Sequence, residues 1–242
     1  MNKVIVITGA TSGFGKAMTE KFSMPEYKLV LVARTQSKLD AVVEQVNVAG
    51  GEAVAVCGDV TQSETFEKVL AVALGKFGRL DVLINNAGGG VKIAPIEEMD
   101  DATIEACMDL NLNSVIKACR IIVPQMKKQK FGLIINLTSA CAKFAFPEWS
   151  VYSAAKTGLS MFSRCLQAEL RPSGIGVSVI IPGGSNTGFQ QSAGLDSSDW
   201  DEANALRPEH IAEAAFSIVN MPQGGFVPEM VVYGMEQEII PF

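Results

Sequence analysis

A tyrosine and a lysine four residues apart could form an acid–base pair. Tyr152 and Lys156 lie in a segment with a helical pattern, and side chains at this spacing share one face of a helix. A free phenol has a pKa of about 10. A neighbouring ammonium stabilises the phenolate and lowers that pKa, so the phenol can protonate an alkoxide or deprotonate an alcohol. Tyr-x-x-x-Lys pairs are common by chance, and this pair needs support from other residues.

Ser139 gives that support because it directly follows a buried strand predicted at Leu133–Thr138. In open parallel sheets the carboxyl ends of the strands line the ligand crevice. A hydroxyl group at that place can hydrogen-bond a substrate oxygen and hold it near Tyr152. The alternative is an ordinary turn or helix-capping residue.

A glycine-rich turn joins the first predicted strand to the first predicted helix, with the sequence Thr8-Gly9-Ala10-Thr11-Ser12-Gly13-Phe14-Gly15. Backbone N–H groups of such a turn can approach a pyrophosphate, and the helix N-terminus adds a favourable dipole. Any tight strand-to-helix turn favours glycine, so the glycines alone are weak support. Their position at the start of a βαβ unit predicts a dinucleotide site.

The end of the second predicted strand favours NADP (NADPH) over NAD. It reads Val32-Ala33-Arg34-Thr35 and lacks the acid that usually binds the adenosine ribose of NAD. A guanidinium suits a 2′-phosphate, and Ser12 could donate a second hydrogen bond; the alternative is a solvated loop cation. After the third strand, Asp59 and Val60 could flank the adenine, although Asp59 could equally cap the next helix.

These residues are positioned by short apolar runs that alternate with amphipathic helical stretches. The predicted strands are Lys3–Thr8, Lys28–Ala33, Ala53–Cys57, Leu80–Ile84, Leu133–Thr138, Gly176–Ile181 and Met230–Tyr233. The predicted helices are Gly13–Phe22, Ser37–Ala49, Ser63–Phe77, Asp100–Lys128, Val151–Leu170 and Pro208–Val219. This alternation predicts an α/β fold, a single-domain Rossmann fold with a doubly wound, seven-stranded parallel sheet and helices on both faces.

Within that single domain, spanning 1–242, we expect a cofactor half at roughly 1–110 and a catalytic and substrate half at roughly 111–242. Gly183–Leu206 lacks a strong period and is rich in small and polar residues. It is expected to be a mobile loop, and loops of this length often act as lids.

The chain resembles the short-chain dehydrogenase/reductase family of NADP-dependent type over its whole length. The motifs that carry the resemblance, in order, are the glycine-rich turn, Asn85-Asn86-Ala87-Gly88, Asn111, Ser139, Tyr152-Ser153-Ala154-Ala155-Lys156 and Pro182-Gly183. The resemblance implies that a small ketone or aldehyde and its alcohol are interconverted by hydride transfer from or to the nicotinamide. Tyr152 would donate or accept the proton, Ser139 would orient the substrate oxygen, and Lys156 would hold the nicotinamide ribose.

The resemblance also implies roles for residues that have no obvious chemistry of their own. Asn111 would sit at a helix break and hold a water of the proton relay. The expected cofactor-binding residues are Gly9, Thr11, Ser12, Gly13, Phe14, Gly15, Arg34, Asp59, Val60, Asn86, Ala87, Gly88, Tyr152, Lys156, Pro182, Gly183, Ser185 and Thr187. Two of them depart from the family pattern, since Ser185 stands where Val or Ile is usual and Phe14 replaces Ile or Leu.

The substrate pocket is expected above the nicotinamide. Its candidates are Gly89, Gly90, Ala140, Cys141, Phe144, Trp149 and the loop at 184–195. Fatty-acid-synthesis reductases, which the chain also resembles, dock a carrier protein through arginines whose matching positions here are Gln129 and Ser173. A free small molecule is therefore favoured over a 3-oxoacyl carrier-protein substrate, which stays an alternative.

Composition excludes several other function classes. The formal charge of −6 and the scattered basic residues argue against a nucleic-acid or anionic-membrane partner. No apolar stretch is close to the length of about 20 residues that a membrane-spanning helix needs. Five cysteines without a C-x-x-C pair indicate free thiols in a reducing cytoplasm. The single histidine, His210, is expected on a helix surface, and therefore no metal site is predicted.

The predicted helices around Asn111 and Tyr152 carry more apolar side chains than one sheet face needs. These are Val115, Ile116, Cys119, Ile122, Val123, Met161, Phe162 and Leu166. They predict a homotetramer, with a dimer as second choice. Two other functions stay open, a catalytically silent NADP-binding sensor or scaffold and a nucleotide-sugar epimerase or dehydratase.

Overall fold

The computed structural model describes residues 2–185, 187–195, 206–222, 224–235 and 237. Within them, seven parallel strands form one sheet in the order β3-β2-β1-β4-β5-β6-β7. The strands are β1 (Lys3–Thr8), β2 (Tyr27–Ala33), β3 (Glu52–Cys57), β4 (Val82–Asn85), β5 (Gly132–Leu137), β6 (Ile175–Pro182) and β7 (Glu229–Val232). The helices are α1 (Gly13–Lys21), α2 (Gln36–Val48), α3 (Ser63–Phe77), α4 (Asp101–Met108), α5 (Ser114–Gln129), α6 (Ser150–Leu170), α7 (Phe189–Ala193) and α8 (Pro208–Val219).

The sheet is covered on both faces, which explains why its strands lack polar alternation. Ile5 and Ile7 of β1 pack in one cluster with α1, α2 and α8. Val4 and Val6 point the other way, into a second cluster with α3, α5 and α6. The predicted doubly wound fold is confirmed, and the observed strands start or end within about two residues of the predicted ones.

The chain runs outward from β1 in two directions, through β2 and β3 on one side and through β4 to β7 on the other. The strand order therefore reverses between β1 and β4. In open α/β sheets, ligands bind at the carboxyl ends of the strands beside this reversal. The topology places a crevice where the residues after β1, β4 and β5 meet.

Two elements differ from the sequence prediction. The helix expected at Asp100–Lys128 is interrupted by a π-helical turn, Asp109–Asn113, between α4 and α5. The segment Gly183–Leu206, expected to be an irregular loop, contains the short helix α7. Residue 186 and residues 196–205 of that segment lie outside the described residues.

No helix among the described residues is both long enough and apolar enough to cross a membrane.

Candidate active site

The carboxyl ends of four neighbouring strands bring the predicted residues together. The glycine-rich turn follows β1, Asn86 follows β4, Ser139 follows β5, and Pro182 ends β6. Helix α6 then supplies Tyr152 and Lys156 from above this edge. Residues that are far apart in the sequence therefore form one crevice at the sheet's reversal point.

Ser139, Tyr152 and Lys156 form a compact group. The Ser139 backbone is extended, and its hydroxyl accepts a hydrogen bond from the N–H of Cys141 at 3.3 Å. The same hydroxyl lies close enough to the Tyr152 phenol to act on the pKa of that phenol. The Lys156 ammonium lies 5.7 Å from the centroid of the Tyr152 ring and donates to the carbonyl of Leu137 at 3.1 Å. Proton-transfer and charge-stabilising groups thus share one location.

Burial is the largest cause of the pKa shifts of Tyr152 and Lys156. It raises the pKa of the Tyr152 phenol, the thiol of Cys141 adds to this, and the nearby Ser139 hydroxyl acts in the opposite direction. Burial also lowers the pKa of Lys156 from its ordinary 10.5 to about 8. The lowered pKa that the sequence predicts for Tyr152 is therefore wrong for this state of the protein, because desolvation of the phenolate outweighs the nearby ammonium.

Asn111 lies in the π-helical turn and is completely buried. Its side-chain N–H₂ donates to the carbonyls of Gly89 at 2.8 Å and Cys107 at 3.0 Å, and its oxygen accepts from the N–H of Gly89 at 3.2 Å. The helix break that the family resemblance implies at Asn111 coincides with this π-helical turn, although the sequence pattern predicts a continuous helix there. In this structure Asn111 clamps the loop after β4 to the end of α4, and its role toward a water stays a prediction.

Gly88 keeps the space in front of Lys156 open. A Cβ atom added at Gly88 would lie 3.0 Å from the Asn111 side-chain oxygen and 3.2 Å from the Lys156 ammonium. A larger residue would fill the space through which the ammonium and the amide face the crevice. The gap is therefore suited to a bound group that hydrogen-bonds Lys156, such as a ribose.

The glycine-rich turn depends on glycine for backbone conformation and for close packing. Gly9 and Gly13 adopt positive φ angles of 68° and 48°, which favour glycine. A Cβ atom at Gly15 would lie 2.1 Å from the carbonyl oxygen of Gly9. Ser12 precedes α1, and its hydroxyl makes no capping hydrogen bond. The turn thus brings the start of α1 against β1 and leaves a hydroxyl exposed at its edge.

Two side chains tie this turn to the neighbouring loops. The Thr8 hydroxyl accepts hydrogen bonds from the N–H groups of Asn86 and Ala87, both at 3.0 Å, and the Asn86 amide donates to the carbonyl of Thr8 at 2.8 Å. Thr187 lies 3.1 Å, measured to its Cβ atom, from the position of a Cβ at Gly13. Thr8 is a positioning residue that sequence reasoning did not single out, because an alcohol at a strand end has no distinctive pattern.

The residues predicted to bind the adenosine part of the cofactor are more exposed to solvent. Arg34 is exposed directly after β2, and no described residue forms a hydrogen bond or ion pair with its guanidinium. The Asp59 carboxylate accepts two hydrogen bonds from Thr61, each at 2.9 Å, in the turn before α3. Val60 is buried in the cluster with α3, α5 and α6, whereas Phe14 packs, partly buried, against the cluster on the opposite face of the sheet. Asp59 therefore orders the turn before α3, whose N-cap is Gln62 and not Asp59, and its exposed side chain leaves its role toward the adenine a prediction.

The loop after β6 is held by the end of the chain. The N–H of Gly183 donates to Val232 at 2.8 Å, and a Cβ atom at Gly183 would lie 2.5 Å from the Tyr233 ring. Ser185 is buried and pairs with Leu206, and its carbonyl accepts from the Gln190 side chain at 3.1 Å. These contacts use the backbone of Ser185, so they do not depend on the side chain that is unusual for the family.

An apolar cluster covers the Tyr152 phenol. Its buried members are Ile93, Cys107, Cys141, Tyr152 and Ala193, and its partly buried members are Val91, Phe146, Trp149, Val151, Phe189 and Leu195. Cys141, Trp149 and the loop at 184–195 were predicted pocket residues. Phe144 was predicted and is not part of the cluster, whereas Phe146, Ile93 and Cys107 are part of it and were missed. Aperiodic segments give no signal for which side chains turn inward.

Comparison with known proteins agrees with this arrangement. A family model described as short chain dehydrogenase matches residues 3–198. A 3-oxoacyl-[acyl-carrier-protein] reductase of Synechocystis sp. is 35% identical over 182 residues, which cover 75% of this chain and 73% of that protein.

Solved structures share the whole fold. An alcohol dehydrogenase from the archaeon Thermococcus sibiricus, complexed with 5-hydroxy-NADP, superposes with a TM-score of 0.89 at 26% identity, covering 99% of this chain and 100% of that one. A 3-ketoacyl-(acyl-carrier-protein) reductase from Brucella melitensis, complexed with NADH, gives a TM-score of 0.88 at 27% identity, covering 96% and 97%. Similar folds thus bind either nicotinamide cofactor.

Proposed function

The chain belongs to the short chain dehydrogenase family, and we propose that it is an NADP(H)-dependent oxidoreductase that interconverts a small ketone or aldehyde and its alcohol. The observation that carries the proposal is the meeting of Ser139, Tyr152 and Lys156 beside the gap at Gly88. A general acid, a hydroxyl that can orient an oxygen and a cation lie together at the reversal point of a dinucleotide-binding sheet.

The residues present fit a bound dinucleotide. The amide groups of the glycine-rich turn would approach the pyrophosphate, and Lys156 would reach the nicotinamide ribose through the gap at Gly88. Arg34 and the uncapped Ser12 hydroxyl are free to recognise a 2′-phosphate, which favours NADPH over NADH. The chemistry that bound NADPH supplies is donation of a hydride to the carbonyl carbon.

Tyr152 would give its proton to the substrate oxygen as the alkoxide develops. Because its pKa is raised by burial, the phenol is protonated at neutral pH and ready to act as an acid. Lys156, with a pKa of about 8, still carries most of its charge at neutral pH and would stabilise the phenolate that forms. Ser139 would hold the substrate oxygen beside the phenol. This protonation state favours carbonyl reduction, and alcohol oxidation would need a higher pH.

Replacement of Tyr152 by phenylalanine tests the acid. Tyr152→Phe removes only the hydroxyl, so the variant should bind NADPH as the wild type does. Turnover of a carbonyl panel, followed by loss of NADPH absorbance, should fall by a factor of about 100 or more because the proton donor is missing. Retained turnover would rule out Tyr152 as the acid.

Replacement of Arg34 by alanine tests the cofactor preference. Loss of a charge-assisted hydrogen bond costs about 1.5–3 kcal/mol, so Arg34→Ala should weaken NADPH binding by roughly 10- to 100-fold and leave NADH binding nearly unchanged. Arg171→Ala, at an exposed arginine beyond the end of α6, is the matched control. Equal losses for both cofactors would refute phosphate recognition by Arg34.

A 3-oxoacyl carrier-protein reductase is the second candidate, favoured by the 35% identity to the Synechocystis protein. The Gln129 side chain is already engaged with Leu80, donating to its carbonyl at 2.8 Å and accepting from its N–H at 3.1 Å. It therefore braces the end of α5 and does not offer a cation for an acidic carrier. A carrier-bound 3-oxoacyl thioester reduced with much higher kcat/KM than free ketones would establish this alternative. A silent NADP sensor would bind NADPH and reduce neither substrate.

We also propose a homotetramer, with a dimer as second choice, working in the cytoplasm. Ile116 and Met161 remain exposed on α5 and α6 and are available for subunit contacts, whereas Val115 and Leu166 are buried in the chain's own core. Some of the apolar side chains that predict subunit contacts are therefore buried within the chain itself, and others remain exposed. The free cysteines fit a reducing compartment. A monomeric mass by light scattering would contradict the assembly.

A further inference from the structure

We propose that the Trp149 indole is a platform that stacks the aromatic ring of the substrate, and that Phe189 occupies this platform until the substrate arrives. The substrate class is then an uncharged aryl carbonyl compound. The inference rests on the proposed function, since it places an aryl ring next to the proton donor Tyr152.

The three rings are arranged as a ring-binding site beside the phenol. Phe189 stacks on Trp149 with centroids 5.6 Å apart and planes inclined by 9°. The same Phe189 ring lies edge-on to Tyr152 at 5.3 Å, and Trp149 lies edge-on to Tyr152 at 5.8 Å. These are favoured aromatic geometries. A flat six-membered ring seated on the indole is therefore adjacent to Tyr152, where a carbonyl attached to that ring could reach the phenol.

Tyr152 is only 6% exposed and Phe189 packs edge-on against its ring, so the platform requires Phe189 to move aside when a substrate ring binds. Phe189 is on α7, a five-residue helix bracketed by Gly188 and Gly194 with φ angles of 73° and 72°. Among the described residues, no heavy atom lies within 4 Å of a Cβ added at either glycine. Because Ala193 is buried against Gly90 and its carbonyl accepts from the N–H of Ile93, the proposed movement is a rotation of the Phe189 side chain with α7 in place. An incoming aryl ring would restore the stacking that Phe189 gives up.

The surroundings of the platform select against charged substrates. The described side chains of the apolar cluster are aliphatic, aromatic or thiol groups. The nearest cation on the Ser139 segment, Lys143, forms an ion pair with Glu229, and Lys92 donates to the carbonyl of Glu98 at 2.7 Å. Among the described residues, Lys156 is thus the cation that faces the phenol. A carboxylate or phosphate on the substrate ring would be buried without a partner, which is unfavourable.

A matched pair of ketones tests the platform. Acetophenone and cyclohexyl methyl ketone are methyl ketones of nearly the same size, but only the first has a flat aromatic ring, which is conjugated with its carbonyl. The ratio of their kcat/KM values with NADPH is therefore compared between wild type and variant, which cancels the difference in intrinsic reactivity. The wild type should favour acetophenone by roughly 3- to 10-fold more than Trp149→Leu does, the amount that an aromatic pair contributes beyond its area. Trp149→Leu should remove this preference, mainly by raising KM for acetophenone, and Trp149→Phe should restore most of it.

Phe189→Ala distinguishes a ring that competes with the substrate for Trp149 from a ring that only packs against its neighbours. If Phe189 competes with the substrate ring, its removal should lower KM for acetophenone, the opposite of the Trp149→Leu effect. Phe131→Ala, at a half-exposed phenylalanine before β5, is the control and should leave the preference unchanged. A Phe189→Ala variant with a raised KM for acetophenone, or a Trp149→Leu variant that slows both ketones alike, would overturn the inference.

Calorimetric titration of acetophenone into the NADPH-loaded protein distinguishes this inference from the proposed function. Binding that depends on Trp149 without any turnover would refute the proposed reaction and support the platform. Turnover of both ketones with no preference would support the reaction and refute the platform.

Discussion

Replacing Lys156 by methionine should make the protein more stable and inactive. The Lys156 side chain is 4% exposed, and its described hydrogen bond goes to the carbonyl of Leu137. Methionine has a similar length and no charge. The variant therefore removes a cation that folding takes out of water, together with the group that is proposed to hold the ribose and to stabilise the phenolate.

The size of the gain follows from the pKa of Lys156. Each pKa unit corresponds to about 1.4 kcal/mol, and the fall from 10.5 to about 8 on folding therefore corresponds to about 3 kcal/mol. Loss of the hydrogen bond to Leu137 offsets about 1 kcal/mol of this. We expect the free energy of unfolding at neutral pH to rise by about 2 kcal/mol in Lys156→Met.

The gain depends on pH in a defined direction. The pKa of Lys156 is lower in the folded than in the unfolded protein, so the unfolded state binds more protons between the two values. Wild-type stability should then increase as pH rises through about 8 toward 10.5, and the advantage of methionine should shrink over the same window. The raised pKa of Tyr152 acts in the opposite direction above about pH 10, and the comparison should end below that value.

Urea unfolding followed by circular dichroism at about pH 7 and about pH 9.5, without cofactor, measures both effects. Lys128→Met, at an exposed lysine near the end of α5, is the control and should change stability by less than about 0.5 kcal/mol. A Lys156→Met variant that is less stable than the wild type at pH 7, or whose advantage is the same at both pH values, would refute the reasoning.

Four further substitutions test the packing of the chain, three of them around the site and one, Gly75→Ala, as a comparison. Gly15→Ala places a Cβ atom 2.1 Å from a backbone oxygen of the glycine-rich turn and should lower the free energy of unfolding by about 3 kcal/mol. Gly75→Ala, in the last turn of α3 where a Cβ atom meets no described neighbour, should raise the free energy of unfolding by about 0.5–1 kcal/mol. Urea titration measures both. Asn136→Ala breaks the buried hydrogen bonds that Asn136 makes with Asn85 and the Ser163 hydroxyl, both 2.8 Å, and should cost about 2–4 kcal/mol in the same titration; a loss under about 0.5 kcal/mol would show that the two bonds are dispensable. Gly90→Ala places a Cβ atom 2.4 Å from Ala193 and should detach α7, seen as faster limited proteolysis there.

Much of the candidate site is readable from the sequence because it depends on local signals. The apolar runs, the glycine-rich turn and the spacing of Tyr152 and Lys156 each reflect a backbone geometry fixed within a few residues. The rule that ligands bind at the carboxyl ends of strands then brings Ser139 to the same place. The structure brings these residues together as the sequence predicts.

Other features needed the tertiary structure. Helix α7 was missed because five residues give no periodic signal, and it forms where Ala193 packs on Gly90 and its carbonyl accepts from the N–H of Ile93 at 3.1 Å. The hydrogen bond between Asn85 and Asn136 joins two strands whose pairing the sequence does not state. Such contacts depend on which distant segments meet.

The pKa of Tyr152 shows most clearly what the sequence determines and what only the tertiary structure determines. The sequence by itself determined that a phenol and an ammonium share a helix face, and from this alone a lowered pKa is the reasonable expectation. Only the tertiary structure decided the direction, because Trp149 and Phe189 pack around Tyr152 from segments outside the motif. Solvent exclusion is a property of the assembled fold, and here it outweighs the neighbouring charge.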